Sequence, residues 1–191
     1  TSAHAGGGGG GLRTSYGPTS GGGTSAETPL TLEAGVAYSV SIGGGGSPTG
    51  ARGGTSTFHT ISSIGGGRQG YSGGSGGGGS GAGTAGQGFA GGSSSSHIYA
   101  GKGGGGGASS VGATGNIANF SRSLHGRGGT GLVVPIISDA NAASAGIGER
   151  ASNPYNSFRT IIGGNDFSGG AGGRDNNSDD RAWSGTGGAG G

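Results

Sequence analysis

Uninterrupted glycine runs at Gly6–Gly11, Gly43–Gly46, Gly76–Gly79 and Gly103–Gly107 restrict what this chain can fold into more than any other feature. Glycine has no side chain to bury and loses more backbone freedom on folding than any other residue. Such a run is either slack linker or a backbone-only element whose amides are nearly all paired. Glycine takes 59 of 191 positions while hydrophobic residues make up 27%, too few for a Leu/Ile/Val core able to offset the conformational entropy. Charged residues are also scarce at 9%, whereas a typical disordered chain combines low hydrophobicity with high charge. The composition points to an ordered structure whose core residue is glycine.

Collagen needs glycine at every third position and abundant proline, and five prolines at irregular spacing exclude it. Polyproline II geometry does not itself require proline. It winds left-handed with about three residues per turn and leaves its N–H and C=O groups pointing outward. Where only hydrogens stand between neighbouring rods, those groups bond to one another, assisted by Cα–H···O contacts. The fold expected is therefore irregular and glycine-rich, a bundle of stacked polyglycine II helices with loop excursions and little or no α-helix. The uninterrupted runs are expected in the middle of the bundle, with Gly8, Gly44, Gly77 and Gly105 as scaffold core. The patchier "GGAGG" at 169–173 is expected at its edge.

Residues 1–191 read as one domain in which rods alternate with excursions. In "TPLTLEAGVAYSVSI", Leu30, Leu32, Val36, Tyr38, Val40 and Ile42 alternate with polar or small residues around "EAG", which predicts a β-hairpin over 28–42 running directly into Gly43–Gly46. Phe58, Ile61 and Ile64 stand three apart between glycine runs, which predicts a period-three extended rod or a short strand. "GLVVPII" at 131–137 reads as an edge strand because of Pro135. The longest excursion covers 130–162, with a turn of helix conceivable only at 140–147.

The stretch "GGGTSAETPLTLEAGVAYSVSIGGGG", followed by "GGTSTFHTISSIGGG" and many glycine runs, resembles the glycine-rich domain of bacteriophage tail-fibre proteins. The later alternation of runs with aromatic-bearing loops is similar to the tip adhesins of T-even-like phages. The likeness is specific around residues 21–67 and compositional elsewhere. It implies stacked polyglycine II rods, loops that bind a host cell-surface protein or glycan, a place on the virion at the tail-fibre tip, and contact with other tail-fibre subunits. Glycine-rich regions of similar kind occur in the ectodomain of anaplastic lymphoma kinase and in ice-binding proteins, although the regular repeat and disulfides of the latter are missing here.

The residues themselves argue against chemistry. His4, His59, His97 and His125 show no ligand spacing. "DNNSDD" at 175–180 starts like a calcium loop but lacks glycine at its sixth position and has Thr186 where the twelfth ligand, a Glu, is needed. Gly-x-Gly-x-x-Gly matches follow from composition alone, and no motif positions a Ser/His/Asp triad. No enzyme activity, metal or cofactor is expected. The ten basic residues stand singly in the sequence, Arg13, Arg52, Arg68, Lys102, Arg122 and Arg127 among them, which predicts no nucleic-acid partner, and no stretch reaches the length needed for membrane insertion. The absence of cysteine removes any disulfide framework.

Recognition usually resides in loops held by a rigid scaffold, and aromatics give contact area at small entropic cost. The receptor-binding candidates are therefore Tyr16, Tyr71, Phe89, His97, Tyr99, Phe120, Tyr155, Phe158 and Trp183, while Tyr38 and Phe58 are assigned to packing on the hairpin. The function expected is a noncatalytic adhesin. The alternative is a structural domain that caps or assembles a phage fibre or an extracellular filament, with loops making the contacts of a homo-oligomer.

Overall fold

The computed structural model describes residues 4–47, 50–95, 101–119, 122–134, 166–167 and 170. Its strands are short: β1 (Val40–Ser41), β2 (Ser56–Phe58), β3 (Ile61–Ser63), β4 (Asn116–Asn119), β5 (Arg122–Leu124), β6 (Leu132–Val133) and β7 (Asp166–Phe167). They form an antiparallel sheet of order β1-β2-β3 and two antiparallel pairs, β4-β5 and β6-β7. No α-helix occurs among the described residues, as expected where glycine interrupts every segment.

β2 and β3 are joined through His59 and Thr60, with Phe58 opposite Ile61. His59 takes a left-handed φ of 51°, which so tight a connection favours. The three-residue spacing of Phe58, Ile61 and Ile64 thus encodes strand, turn and strand. β1 adds to the free side of β2, with Val40 opposite Phe58.

The hairpin expected over 28–42 is not formed. The chain does turn at Ala34 and Gly35, where Gly35 has φ 79° and Val36 N–H donates to Glu33 C=O at 3.4 Å. Residues 28–39 nevertheless contain no strand, and Leu30, Leu32 and Val36 are exposed. An isolated two-stranded hairpin is marginal in water. Leu30, Leu32 and Val36 on its arms stay 38–50% exposed, and among the described residues only the end of the segment gains a ladder, by joining β2.

The glycine runs continue what the sheet begins. Val40 opposes Phe58, and the same register reaches Gly54 N–H donating to Gly44 C=O at 2.8 Å; Ser56 opposes Ser63, and that register reaches Gly53 N–H donating to Gly66 C=O at 3.1 Å. Farther along, the bonds change period. Gly6 and Gly9 donate to Gly103 and Gly106; Gly101, Gly104 and Gly107 donate to Asn116, Ala113 and Ser110; Gly126 and Gly129 donate to Lys102 and Gly105. Successive donors toward one neighbour are three residues apart in each case. A β-ladder would repeat every two residues, and an α-helix would keep its bonds within one segment.

The directions in which side chains would project follow the same period. A Cβ added at Gly103 or Gly106 would strike the 89–93 segment, one at Gly104 or Gly107 the 127–130 segment, and one at Gly105 the backbone of Gly7 and Gly8. Residues 103–108 are all buried. Among residues whose side chains are described, Ala108 and Val134 are the buried hydrophobic ones. Among the described residues, hydrogen-bonded glycine backbone therefore occupies the buried positions that apolar side chains fill in ordinary domains.

Of the four glycines expected in the scaffold core, Gly77 and Gly105 are buried and Gly8 half-buried, and a Cβ at any of them would meet backbone of another segment closer than 3.0 Å. Gly44 is the exception: it is exposed, with nothing within 4 Å of an added Cβ. Among the described residues the 43–46 run is bonded on one side, through Gly54, and so lies at their margin. Gly170 departs in the other direction. Expected at the edge, it is buried, donates to Gly129 C=O at 2.9 Å, and faces Gly105 and Gly106.

Candidate functional site

Of the candidate recognition residues, Tyr16, Tyr71 and Phe89 fall within the described residues. His97, Tyr99, Phe120, Tyr155, Phe158 and Trp183 lie outside them, as do the acidic stretch 175–180 and most of the excursion 130–162.

Phe89 is not a loop residue. Its N–H donates to Gly107 C=O at 3.0 Å and its C=O accepts from Gly76 N–H at 2.9 Å, so its backbone belongs to the bonded runs, and its half-buried ring covers Gly23. Tyr16 does stand in an excursion and is 52% exposed; its N–H is held by Thr14 Oγ1 at 2.9 Å. Tyr38 and Phe58 are expected to pack on the hairpin, which does not form; their rings instead meet each other across the β1–β2 pairing with centroids 6.4 Å apart, and Tyr38 Oη accepts a hydrogen bond from Glu33 N–H at 2.8 Å.

Tyr71 is the candidate around which other chemistry gathers. The tight turn 68–71 is closed by Tyr71 N–H donating to Arg68 C=O at 2.9 Å, with Gly70 at φ 73°. Gly70 N–H donates to Gly78 C=O at 2.8 Å and Tyr71 C=O accepts from Gly77 N–H at 3.0 Å, so the turn is anchored on the buried 73–78 segment. Arg68 lies over the Tyr71 ring with Cζ 3.5 Å from the centroid, and Arg52 approaches the same ring at 5.3 Å. Arg52 Nη1 also donates to Ser72 Oγ at 3.3 Å. Gly50, at φ 101°, leaves room for Arg68: an added Cβ would sit 3.4 Å from its Nη1.

Guanidinium stacking on an aromatic face leaves the in-plane N–H donors available at its edge. The ion pair among the described residues lies elsewhere. There, Arg13 Nε and Nη2 donate to the two carboxylate oxygens of Glu27 at 2.7 and 2.8 Å. The hydrogen bonding to Glu27 raises the Arg13 pKa above its ordinary value, opposed by partial burial and aided by the attraction between the charges. Neither Arg52 nor Arg68 has a carboxylate within ion-pair distance among the described residues. No group of three His, Asp or Glu side chains able to hold a metal occurs among those residues, and no helix is long and apolar enough to cross a membrane.

The linear sequence shows Arg52 and Arg68 as isolated charges. What joins them is run pairing. Arg52 immediately precedes Gly53–Gly54, Arg68 immediately follows Gly65–Gly67, and the two runs bond antiparallel through Gly53 and Gly66. Residues just before one run and just after its antiparallel partner emerge at the same end. Basic residues that stand singly in the sequence are thus gathered around one aromatic ring at this place.

Comparisons with protein-family models, with curated proteins and with solved structures give no match for this chain.

Proposed function

We propose that this chain is a noncatalytic adhesin domain. It is read as a bundle of polyglycine II rods that presents loops to a host cell-surface protein or glycan, in the manner of the phage tail-fibre tip proteins that its sequence resembles. The observation that carries the rod reading is the three-residue repeat, both in hydrogen bonds toward each neighbour and in the directions a Cβ would take along Gly103–Gly107. That period is the one polyglycine II supplies. A core without side chains leaves the loop residues free of packing duties, and Tyr16 and Tyr71 stand exposed on short turns between runs. In this reading the domain resides on a virion tail fibre, outside any cell, with neighbouring fibre subunits as its structural partners.

A fibre-assembly role has one observation in its favour. Among the described residues β1 is a sheet edge, and Val40 within it and Ile42 just after it are 63% and 74% exposed, features that invite pairing with another chain.

Binding of the fluorescently labelled protein to a panel of bacterial strains separates the readings. Strain-selective binding by the monomer, weakened in Tyr71→Ala, supports the adhesin. Self-association with no binding to any strain supports assembly and overturns adhesion.

A further inference from the structure

We infer that Arg52, Arg68, Tyr71 and Ser72 form a binding site for an acidic sugar, one bearing a carboxylate or a phosphate. Calling that sugar part of a host-surface glycan rests on the adhesin reading; the anion site itself does not.

Four observations bring the site together. Two guanidinium groups share one ring, at 3.5 and 5.3 Å from its centroid, although like charges repel. No carboxylate of the described residues compensates them. Charge is unevenly placed along the chain: six basic and two acidic residues fall in 1–134, a net +4, against four basic and six acidic in 135–191, a net −2. The part of the chain carrying the cluster is thus cationic, and an incoming anion gains from the two arginines together. Finally, Gly70 and Tyr71 are bonded to Gly78 and Gly77, and the runs flanked by Arg52 and Arg68 are joined by the Gly53–Gly66 bond, so little backbone ordering remains to be done when a ligand arrives.

The chemistry selects the class of ligand. Paired guanidinium edges recognise a planar carboxylate or a phosphate through bidentate, charge-assisted hydrogen bonds. Tyr71 remains 42% exposed beside them, and Ser72 Oγ, which takes a hydrogen bond from Arg52, is a hydroxyl able to meet sugar hydroxyls. Two arginines without a longer basic stripe give too few contacts to follow a nucleic-acid backbone. An oxyanion beside an aromatic edge and a hydroxyl is the arrangement an acidic monosaccharide fits.

The test is an NMR titration of the full-length, nitrogen-15-labelled protein with glucose 6-phosphate, glucuronate and uncharged glucose, followed at the arginine Nε–Hε groups. The expected result is saturable shifts at Arg52 and Arg68 with one or both acidic sugars and none with glucose. The tighter of the two identifies phosphate or carboxylate as the natural group. Removal of charge-assisted bonds in Arg68→Ala or Arg52→Ala is expected to weaken binding about tenfold or more, with Arg68→Lys intermediate because it keeps charge and loses the fork. Equal shifts at Arg13, or no shift at Arg52 and Arg68, overturn the site. So does tighter binding by an oligo-aspartate peptide than by either sugar. If the combined change Asp175→Asn, Asp179→Asn and Asp180→Asn raises affinity for glucose 6-phosphate tenfold, the chain's own acidic stretch is the occupant and the inference fails. A protein that binds these sugars but no bacterial strain keeps the site and removes the adhesin reading. If the Arg52→Ala, Arg68→Ala double variant loses the acidic sugars but binds cells unchanged, the sugar is not part of the host-surface glycan that the adhesin meets, and that assignment of the ligand fails.

Discussion

Replacing Gly105 by alanine introduces one methyl group, and its cost follows from where that methyl would go. Its Cβ would fall closer than 3.0 Å to Gly7 C=O and at 2.8 Å from Gly8 N, both backbone atoms that cannot swing aside. The 103–107 run cannot retreat, because Gly105 C=O is tied on its other side to Gly129 N–H at 2.7 Å. Relief requires the 6–11 run to separate from it, which strains the bonds Gly6 to Gly103 at 3.0 Å and Gly9 to Gly106 at 3.1 Å. Each bond contributes about 1 kcal/mol net, and each buried group left unpaired costs about 1–3 kcal/mol more. The expected destabilisation is about 3–5 kcal/mol, a large share of the roughly 5–15 kcal/mol a domain possesses. Gly10→Ala is the matched control. Gly10 lies in the same 6–11 run but is exposed with nothing within 4 Å, so its substitution should change stability by less than about 0.5 kcal/mol. Urea unfolding of the two variants decides the matter, and thermal unfolding should show a drop in Tm of about 10 °C for Gly105→Ala. Equal unfolding midpoints would refute the reasoning, since a flexible linker does not distinguish the two positions.

Four further outcomes rest on individual residues. Ser75 is fully buried in a glycine-rich segment and its Oγ has no hydrogen-bond partner among the described residues, so Ser75→Ala should raise the urea midpoint, by about 1 kcal/mol in stability; a loss of that size would contradict the burial. Glu27→Gln should cost less than about 1 kcal/mol, a difference that shrinks as salt is added in equilibrium unfolding. Because the Arg13 pKa is raised in the folded state, its contribution is present in full at neutral pH and is lost only as pH rises into the strongly alkaline range, so pH titration of stability between mild acid and mild base should show no step from it. Gly35→Ala meets no atom within 4 Å but sits at φ 79°, so backbone strain alone sets its cost, about 1 kcal/mol in the same unfolding assay.

The sequence read alone revealed the material of the core better than its outline. Glycine in place of apolar residues could be inferred because the entropy of a 191-residue chain has no other means of being offset here. The position of each run within the structure could not. Gly44 and Gly105 both lie in uninterrupted runs, and only the number of neighbouring segments makes one marginal and the other central. The alternation in 28–42 signalled strands, but alternation describes a strand that has a surface to cover, and Leu30, Leu32 and Val36 stay exposed. Phe89 looked like a loop aromatic because it follows Gln87–Gly88, while the hydrogen bonds of its backbone to Gly76 and Gly107 are long-range facts absent from local pattern. Arg52 and Arg68 carried a usable signal that linear spacing conceals, their positions flanking two runs that pair antiparallel.

The most direct test of the glycine-rod account is the measurement of scalar couplings across hydrogen bonds between amide nitrogens and carbonyl carbons in a labelled sample. The account predicts couplings from Gly6 to Gly103 and from Gly9 to Gly106, and from Gly101, Gly104 and Gly107 to Asn116, Ala113 and Ser110, three residues apart in every series. Couplings at every second residue along these runs, or amides of Gly104, Gly106 and Gly107 exchanging with solvent as fast as those of an unfolded peptide, would contradict it.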